Sequence, residues 1–299
     1  MKILFCNDDL DSRSVDNVYA NELEAALASG FGVGLIDFNA IRRRDENDAF
    51  RRLSQSSHEE RAIYRGWMLT PGEYEFLHSS LRRRNVLLVA TPEQYLHCHW
   101  LPNSYATISE VTPRSVWIPV PECFDMATIM MAIKQFQAAP LILKDYVKSR
   151  KHEWKEACFI PDSSDEVSVA RVVKRFLELQ DDDLQGGLVF REFLELNPVG
   201  FHPKSGMPLT QEYRLFVVNG DVISVCPYWD AEYAFGSPPV ESFLPVLSQV
   251  QSPFFSCDIA RQMSGEWTIV ELGDGQVAGL PERCEVTTFY LRLSSKFQD

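Results

Sequence analysis

The chain opens on a short apolar run, MKILFC at 1–6, cut by the acid-rich turn NDDLDSRS. From 16 to 28, apolar side chains return at Val18, Leu23, Ala26 and Leu27, the rhythm of one helix face. Gly30 supplies a stop, and VGLIDF at 33–38 reads as the next strand. Strand, helix and strand in such a short stretch predict a parallel βαβ unit. Residues 39–64 are polar and predict helix in part. TPGEYEFLHSSLRRR at 70–84 predicts a helix entered through Pro71, and NVLLVA at 85–90 another buried strand. Residues 1–115 are therefore expected to form a small α/β domain.

A second region, 116–299, changes rhythm. PECFDMATIMMAIKQF at 121–136 predicts a helix whose methionines fill core. PLILKDYV at 140–147 and ACFI at 157–160 read as strands. Ser163 and Glu166 have the spacing of a capping box, ahead of an apolar face of Val169, Val172, Val173, Phe176 and Leu177. GGLVFREFLEL at 186–196 resumes strand character. EYRLFVV and DVISVC flank Asn219-Gly220, a strong hairpin signal, and WTIVEL at 267–272 follows. There is no internal repeat. The aromatic, proline-bearing stretch 229–253 predicts a covering loop.

Composition narrows the class. Hydrophobic content is 45% and charged content 24%, as in a globular protein. A net charge of −13 argues against a general nucleic-acid surface, which needs clustered positive charge. The arginine blocks Arg42–Arg44, Arg51–Arg52 and Arg82–Arg84 fit solvated helix ends and loops. Seven cysteines show no zinc spacing, and contexts such as ILFCND and SVCPYW predict reduced, mostly buried thiols. Cys98-His99-Trp100, with His97 beside it, is expected to serve packing or an interface, because adjacent side chains do not converge on one ion. No signal peptide is visible at Met1, and no apolar run is long enough to cross a bilayer. The expected location is the cytoplasm.

Several residues carry candidate chemistry. LILKDYVKSRKHEW at 141–154 sets Lys144 in an apolar strand, where lysine is rarely left unpaired. Lys148, Arg150, Lys151 and His152 follow. This charge suits a polyphosphate, and an edge-strand lysine with a solvated loop is the plain alternative. Asp258 and Glu271 stand 13 residues apart, on two strands joined by the turn MSGE, which sets them side by side. Paired carboxylates suit Mg²⁺, with Asp274 as a third ligand; a helix cap is the plain reading of Asp258. Arg214 alternates onto one face with Glu212 and Phe216, for phosphate or for a surface ion pair. Glu192 and Glu195 flank an apolar pair suited to adenine and ribose, or simply face solvent. Arg65 and Arg114 are candidates for a substrate carboxylate, or for ordinary salt bridges.

In chain order, LILKDYVKSRKHEW, GGLVFREFLEL, EYRLFVVNGDVIS, SCDIA and WTIVELGDG resemble an ATP-grasp protein. The ending VELGDGQVAGLP is especially similar to the clade defined by one arginine and two lysines. YRGWMLTPGEYEFL and HCHWLPNSY resemble that clade's preceding domain. The resemblance implies an α/β architecture: a pre-ATP-grasp domain at 1–115 and an ATP-grasp domain at 116–299, with an ATP cleft between two lobes. It implies an ATP-dependent carboxylate–amine ligase working through an acyl phosphate, with ATP and Mg²⁺. An amino acid or peptide is the implied carboxylate, and an amine the implied nucleophile. Lys144 matches the lysine on the phosphates and Lys148 the second lysine. Glu192 falls at the adenine hinge, Glu195 at the ribose, and Arg214 beside the phosphate in transfer. Asp258 and Glu271 match the metal-holding acids. Two departures stand out. Gly273 occupies the position of the usual asparagine, with Asp274 one residue further on. The phosphate loop KSRKHEW also lacks glycine. A kinase-like phosphotransferase and a non-catalytic nucleotide- or peptide-binding module are the alternatives.

Overall fold

The computed structural model describes residues 1–120, 125–201, 208–233 and 236–297. The first sheet is parallel, with β1 (Lys2–Cys6), β2 (Gly32–Ile36), β3 (Glu60–Arg65) and β4 (Val86–Leu88) in the order β2-β1-β3-β4. Helix α1 (Ala20–Ala28) makes the expected crossover. The polar stretch after β2 forms α2 (Phe38–Arg42) and α3 (Glu46–Ala49), capped by Asp37 and Asp45. It also hides β3, which periodicity did not reveal. Ala62, Ile63, Tyr64 and Arg65 are all buried, because a parallel strand is covered on both faces and shows no alternation. α4 (Pro71–Arg83) and α5 (Pro92–His99) begin alike: Thr70 with Glu73, and Thr91 with Gln94, form capping boxes with proline in the first turn. α6 (Leu101–Ile108) completes the region.

The second sheet is antiparallel: β5 (Ser115–Pro119), β6 (Leu141–Asp145), β7 (Phe159–Ile160) and β8 (Gly187–Glu192), ordered β5-β8-β6-β7. α7 (Met126–Ile133) and α8 (Glu166–Gln180) bury an apolar face with it, including Ile129, Ile133, Val169, Val172 and Phe176. Residues 121–124 of the expected 121–136 helix lie outside the described residues. The cap of α8 is a correction. Asp165, one residue before the helix, accepts from Val167 and Ser168, whereas Ser163 donates its hydroxyl to the Gln137 carbonyl.

A ribbon of β9 (Pro198–Phe201) and β10 (Pro208–Thr210) leads to the third sheet. Its strands are β11 (Glu212–Val218), β12 (Asp221–Pro227), β13 (Phe254–Arg261) and β14 (Trp267–Asp274), ordered β12-β11-β13-β14. Asn219 and Gly220 both take left-handed backbone, φ 50° and 87°, closing the predicted hairpin. One face of this sheet packs Leu215, Val217, Cys257, Ile259 and Leu272 with α9 (Val240–Leu247), which lies within the expected loop. Phe216 and Phe254, on the other side, join Ile3, Phe5 and Ile63 of the first sheet. α10 (Val286–Ser295) belongs to that same core, so the end of the chain returns to the N-terminal layer.

The thiol expectation holds for Cys6, Cys98, Cys158 and Cys257, which are free and buried. It fails for Cys226 and Cys284, which form a disulfide, and Cys123 lies outside the described residues. Folding brings the end of β12 beside the segment after β14, a contact invisible at a separation of 58 residues. Among the described residues, no helix is long and apolar enough to cross a membrane.

Candidate active site

Both antiparallel sheets and the N-terminal region line one cavity of about 900 Å³. Lys144 pairs with Val189 of β8 on one side and bridges to Ser149 on the other, so it is not an edge lysine. It is only 7% exposed, and its Nζ donates to Glu271 Oε1 at 2.7 Å. In the facing sheet, register sets Arg214 opposite Asp258 and Asp258 opposite Glu271. Three strands thus place three charges in one row. The expected pairing of Asp258 with Glu271 is present, and Asp258 is a strand residue rather than a helix cap.

Arg214 grips Asp258 with two hydrogen bonds, from Nε at 2.8 Å and Nη2 at 2.7 Å. Its Nη1 donates to the Gly279 carbonyl at 3.0 Å. The surface pair with Glu212 is therefore not formed. Burial works against the Arg214 charge, but Asp258 outweighs it and raises the pKa. Burial likewise works against an ionised Glu271. Lys144, with Lys151 and Arg214, outweighs it and holds the carboxyl down to about 2, while 40% of the side chain stays open. Glu212 is pushed up to about 7, first by burial and then by the Asp258 charge.

The loop after β6 is shaped by Asp145, whose buried carboxylate accepts from the backbone of Val147 and Lys148 and from Gln180. Lys148 is exposed and lines the cavity. The sequence reading named Lys151 within the basic run suited to a polyphosphate but gave it no role apart from its neighbours. Its Nζ lies 5.8 Å from both the Tyr228 and Trp229 ring centroids. Burial would lower its pKa, but Tyr228 and the acids Glu212, Glu271 and Asp258 raise it.

An apolar slot lies along the same cavity. Trp154 stacks on Phe159 at 5.3 Å, and Phe193 meets Phe159 edge-on at 5.1 Å. The apolar pair that the sequence reading set between Glu192 and Glu195 includes Phe193, but Trp154 and Phe159 were not foreseen, because the three rings come from separate segments. Glu192 lines the slot with its carboxylate clamped by Arg114, at 2.9 and 3.0 Å. Glu195 is exposed at its rim. Arg114 is thus occupied, and so is Arg65, which is buried against Glu22 and three carbonyls.

Asp274 stands apart from the charge row. It alternates with Glu271 and is fully buried; its Oδ1 accepts from Gln276, whose amide also reaches Tyr74. Burial raises it to about 7, and its Oδ2 has no partner. Among the described residues, no group of three or more His, Cys, Asp or Glu is arranged to hold a metal. Asp258 and Glu271 nevertheless fit Mg²⁺ by donor chemistry. They offer hard oxygens on adjacent strands, and Mg²⁺ takes few protein ligands, completing its shell with water and phosphate.

Residues 133–293, more than half of the chain, match the ATP-grasp domain, R2K clade family 3. The chain belongs to this family and has the ATP-grasp fold. Among solved structures it is similar to the D-cycloserine synthetase DcsG, with a TM-score of 0.63, 14% identity, and 99% of each chain covered. It is also similar to a RimK domain ATP-grasp protein from Sphaerobacter thermophilus, with a TM-score of 0.61, 13% identity, and 100% of each chain covered. A third is the ATP-grasp ligase PsnB complexed with minimal precursor, Mg and ADP. There the TM-score is 0.56 and the identity 11%, covering 100% of this chain and 98% of PsnB. Comparison with curated proteins finds no match.

Proposed function

We propose that the chain is a carboxylate–amine ligase that spends ATP to activate an amino-acid or peptide carboxylate as an acyl phosphate. The observation that carries this reading is the row Arg214–Asp258–Glu271 facing Lys144 in one cavity. PsnB, with its precursor, Mg and ADP, and DcsG, a synthetase, support peptide and small-molecule acids as the classes to try first.

In this reading Trp154, Phe159 and Phe193 form the adenine slot. Glu195 accepts from the ribose, and Glu192, clamped by Arg114, fixes the hinge. Lys144, Lys148 and Lys151 hold the phosphates as mobile point charges, in a loop without glycine amides to do so. Asp258 and Glu271 would hold Mg²⁺, which would supply positive charge against the phosphates. Asp274, turned toward Gln276 and Tyr74, belongs to the seam with the N-terminal region. The Lys144–Glu271 pair keeps these two charges compensated until nucleotide enters. Arg214, fixed by Asp258 and Gly279, sits ready for the phosphoryl group and the acyl phosphate, where a preoriented cation acts without reorganising. Attack by the amine then releases phosphate and leaves an amide. A phosphotransferase would instead leave a stable phosphorylated product.

The test is calorimetric titration of a non-hydrolysable ATP analogue, with and without Mg²⁺, into wild type, K144A and E271A. Expected are Mg²⁺-dependent binding to wild type, weaker binding to K144A, and loss of metal dependence in E271A. Absence of binding to folded wild type would refute the ATP site.

A further inference from the structure

Among the described residues, the lysine and arginine side chains that are buried are Arg65, Lys144 and Arg191. Arg65 is ion-paired with Glu22 and Lys144 with Glu271. Arg191, 7% exposed, has no acid against it among the described residues. It stands near the end of β8, opposite Ile142 of β6 and two residues along the ladder from the Lys144–Val189 pair. Facing and alternate residues share one side of a sheet, so Arg191, Ile142 and Lys144 point the same way, and all of them line the cavity. Arg191 Nη2 donates to the Thr112 hydroxyl at 2.7 Å and to the Ile269 carbonyl at 3.1 Å, which fixes the guanidinium. Its Nε and Nη1 make no hydrogen bond among the described residues. Neither atom is sealed in the interior, so both donors open on the cavity.

A structural role alone does not account for this arginine. Burial lowers its pKa to about 10, with the Glu271 charge opposing only in part, and it stays cationic at neutral pH. Glu271 is itself taken by Lys144. An uncompensated buried charge destabilises a fold, and an apolar side chain of similar length would avoid that cost. The Ile269 carbonyl does not require the guanidinium either, since the Thr112 hydroxyl donates to it at 2.7 Å. What arginine adds is a fixed positive charge with two free donors, which suits the oxygens of an anion.

Position selects the anion. Glu192 and Phe193 follow directly in the chain, at the slot of Trp154 and Phe159, and Lys144 lies along the ladder on the other side. A nucleotide with its base in the slot and its outer phosphates at Lys144 passes its first phosphate between them. We propose that Arg191 binds the α-phosphate of the nucleotide, donating from Nε and Nη1. This rests on the nucleotide cleft proposed above.

The experiment measures displacement of a fluorescent ATP analogue by adenosine, AMP and ADP, with Mg²⁺ present, for wild type, R191M and R191Q. Both variants remove the charge; R191M keeps much of the volume, and R191Q keeps an amide for Thr112 and Ile269, so either carries the test if the other does not fold. The variants are expected to bind adenosine as wild type does and to lose at least about tenfold in affinity for AMP and for ADP, the size of a hydrogen bond to a charged group. Unchanged AMP and ADP affinities overturn the proposal and leave Arg191 as a tie between the sheets. An equal loss for adenosine, AMP and ADP also overturns it, because the effect then lies in the base or in packing. Loss with ADP but not AMP overturns it as well, by placing the contact beyond the α-phosphate. If folded wild type binds no nucleotide, the cleft reading itself fails, and this inference falls with it.

Discussion

Replacing Arg65 by methionine removes a buried charge with five hydrogen bonds while keeping much of its volume. Arg65 is 1% exposed at the end of β3. Its Nε and Nη2 each donate to the Glu22 carboxylate at 2.9 Å, and Nη1 donates to the Gly275 and Ala278 carbonyls at 2.8 Å. Burial works against this charge, but Glu22 outweighs it and raises the pKa, so the guanidinium stays charged at any working pH. R65M leaves Glu22 with only the Tyr290 hydroxyl, at 2.7 Å. Breaking one side of such a pair costs about 3–5 kcal/mol, because a charge is stranded rather than because the pair itself is strong. The double variant R65M/E22Q removes the stranded charge while keeping an acceptor for Tyr290. It should be more stable than R65M by at least about 1 kcal/mol. Urea unfolding of wild type, both single variants and the double variant measures this cycle. A loss below about 1 kcal/mol in R65M, or strict additivity, would refute the reasoning. The carbonyls that Arg65 holds also lie on the segment whose Gly279 receives Arg214, so stability and cleft geometry share this anchor.

Asp274 should make stability pH-dependent. Its folded pKa, about 7, lies above the ordinary carboxylate value near 3.9, so the folded state keeps a proton that the unfolded chain releases. Its contribution therefore falls as pH rises from about 4 to about 7. D274N should gain on wild type across that window in denaturation midpoint, and parallel curves would contradict the assignment. R214A should cost on the order of 3 kcal/mol in transition-state stabilisation. The check is ADP release with acid and amine present, and turnover near the wild-type rate would remove Arg214 from its role.

Much of the frame was legible locally. The βαβ start, the helix through Pro71 and the Asn219-Gly220 hairpin each carry their signal within a few residues. The facing of Asp258 and Glu271 was also readable, because a short turn between two strands nearly fixes register. Other features depended on distant partners. β3 lost its alternation by being covered on both faces. The partner of Arg214 proved to be Asp258, on a strand 44 residues away, rather than its neighbour Glu212. Lys151 and Lys148 look alike in sequence, and only the fold sets Lys151 over two aromatic rings. Cys226 with Cys284, and Arg191 at the cavity wall, follow the same rule. Sequence periodicity determines which face of a segment is buried and where the segment ends. What that face meets is decided by packing among segments far apart in the chain, and the charges of this site find their partners only there.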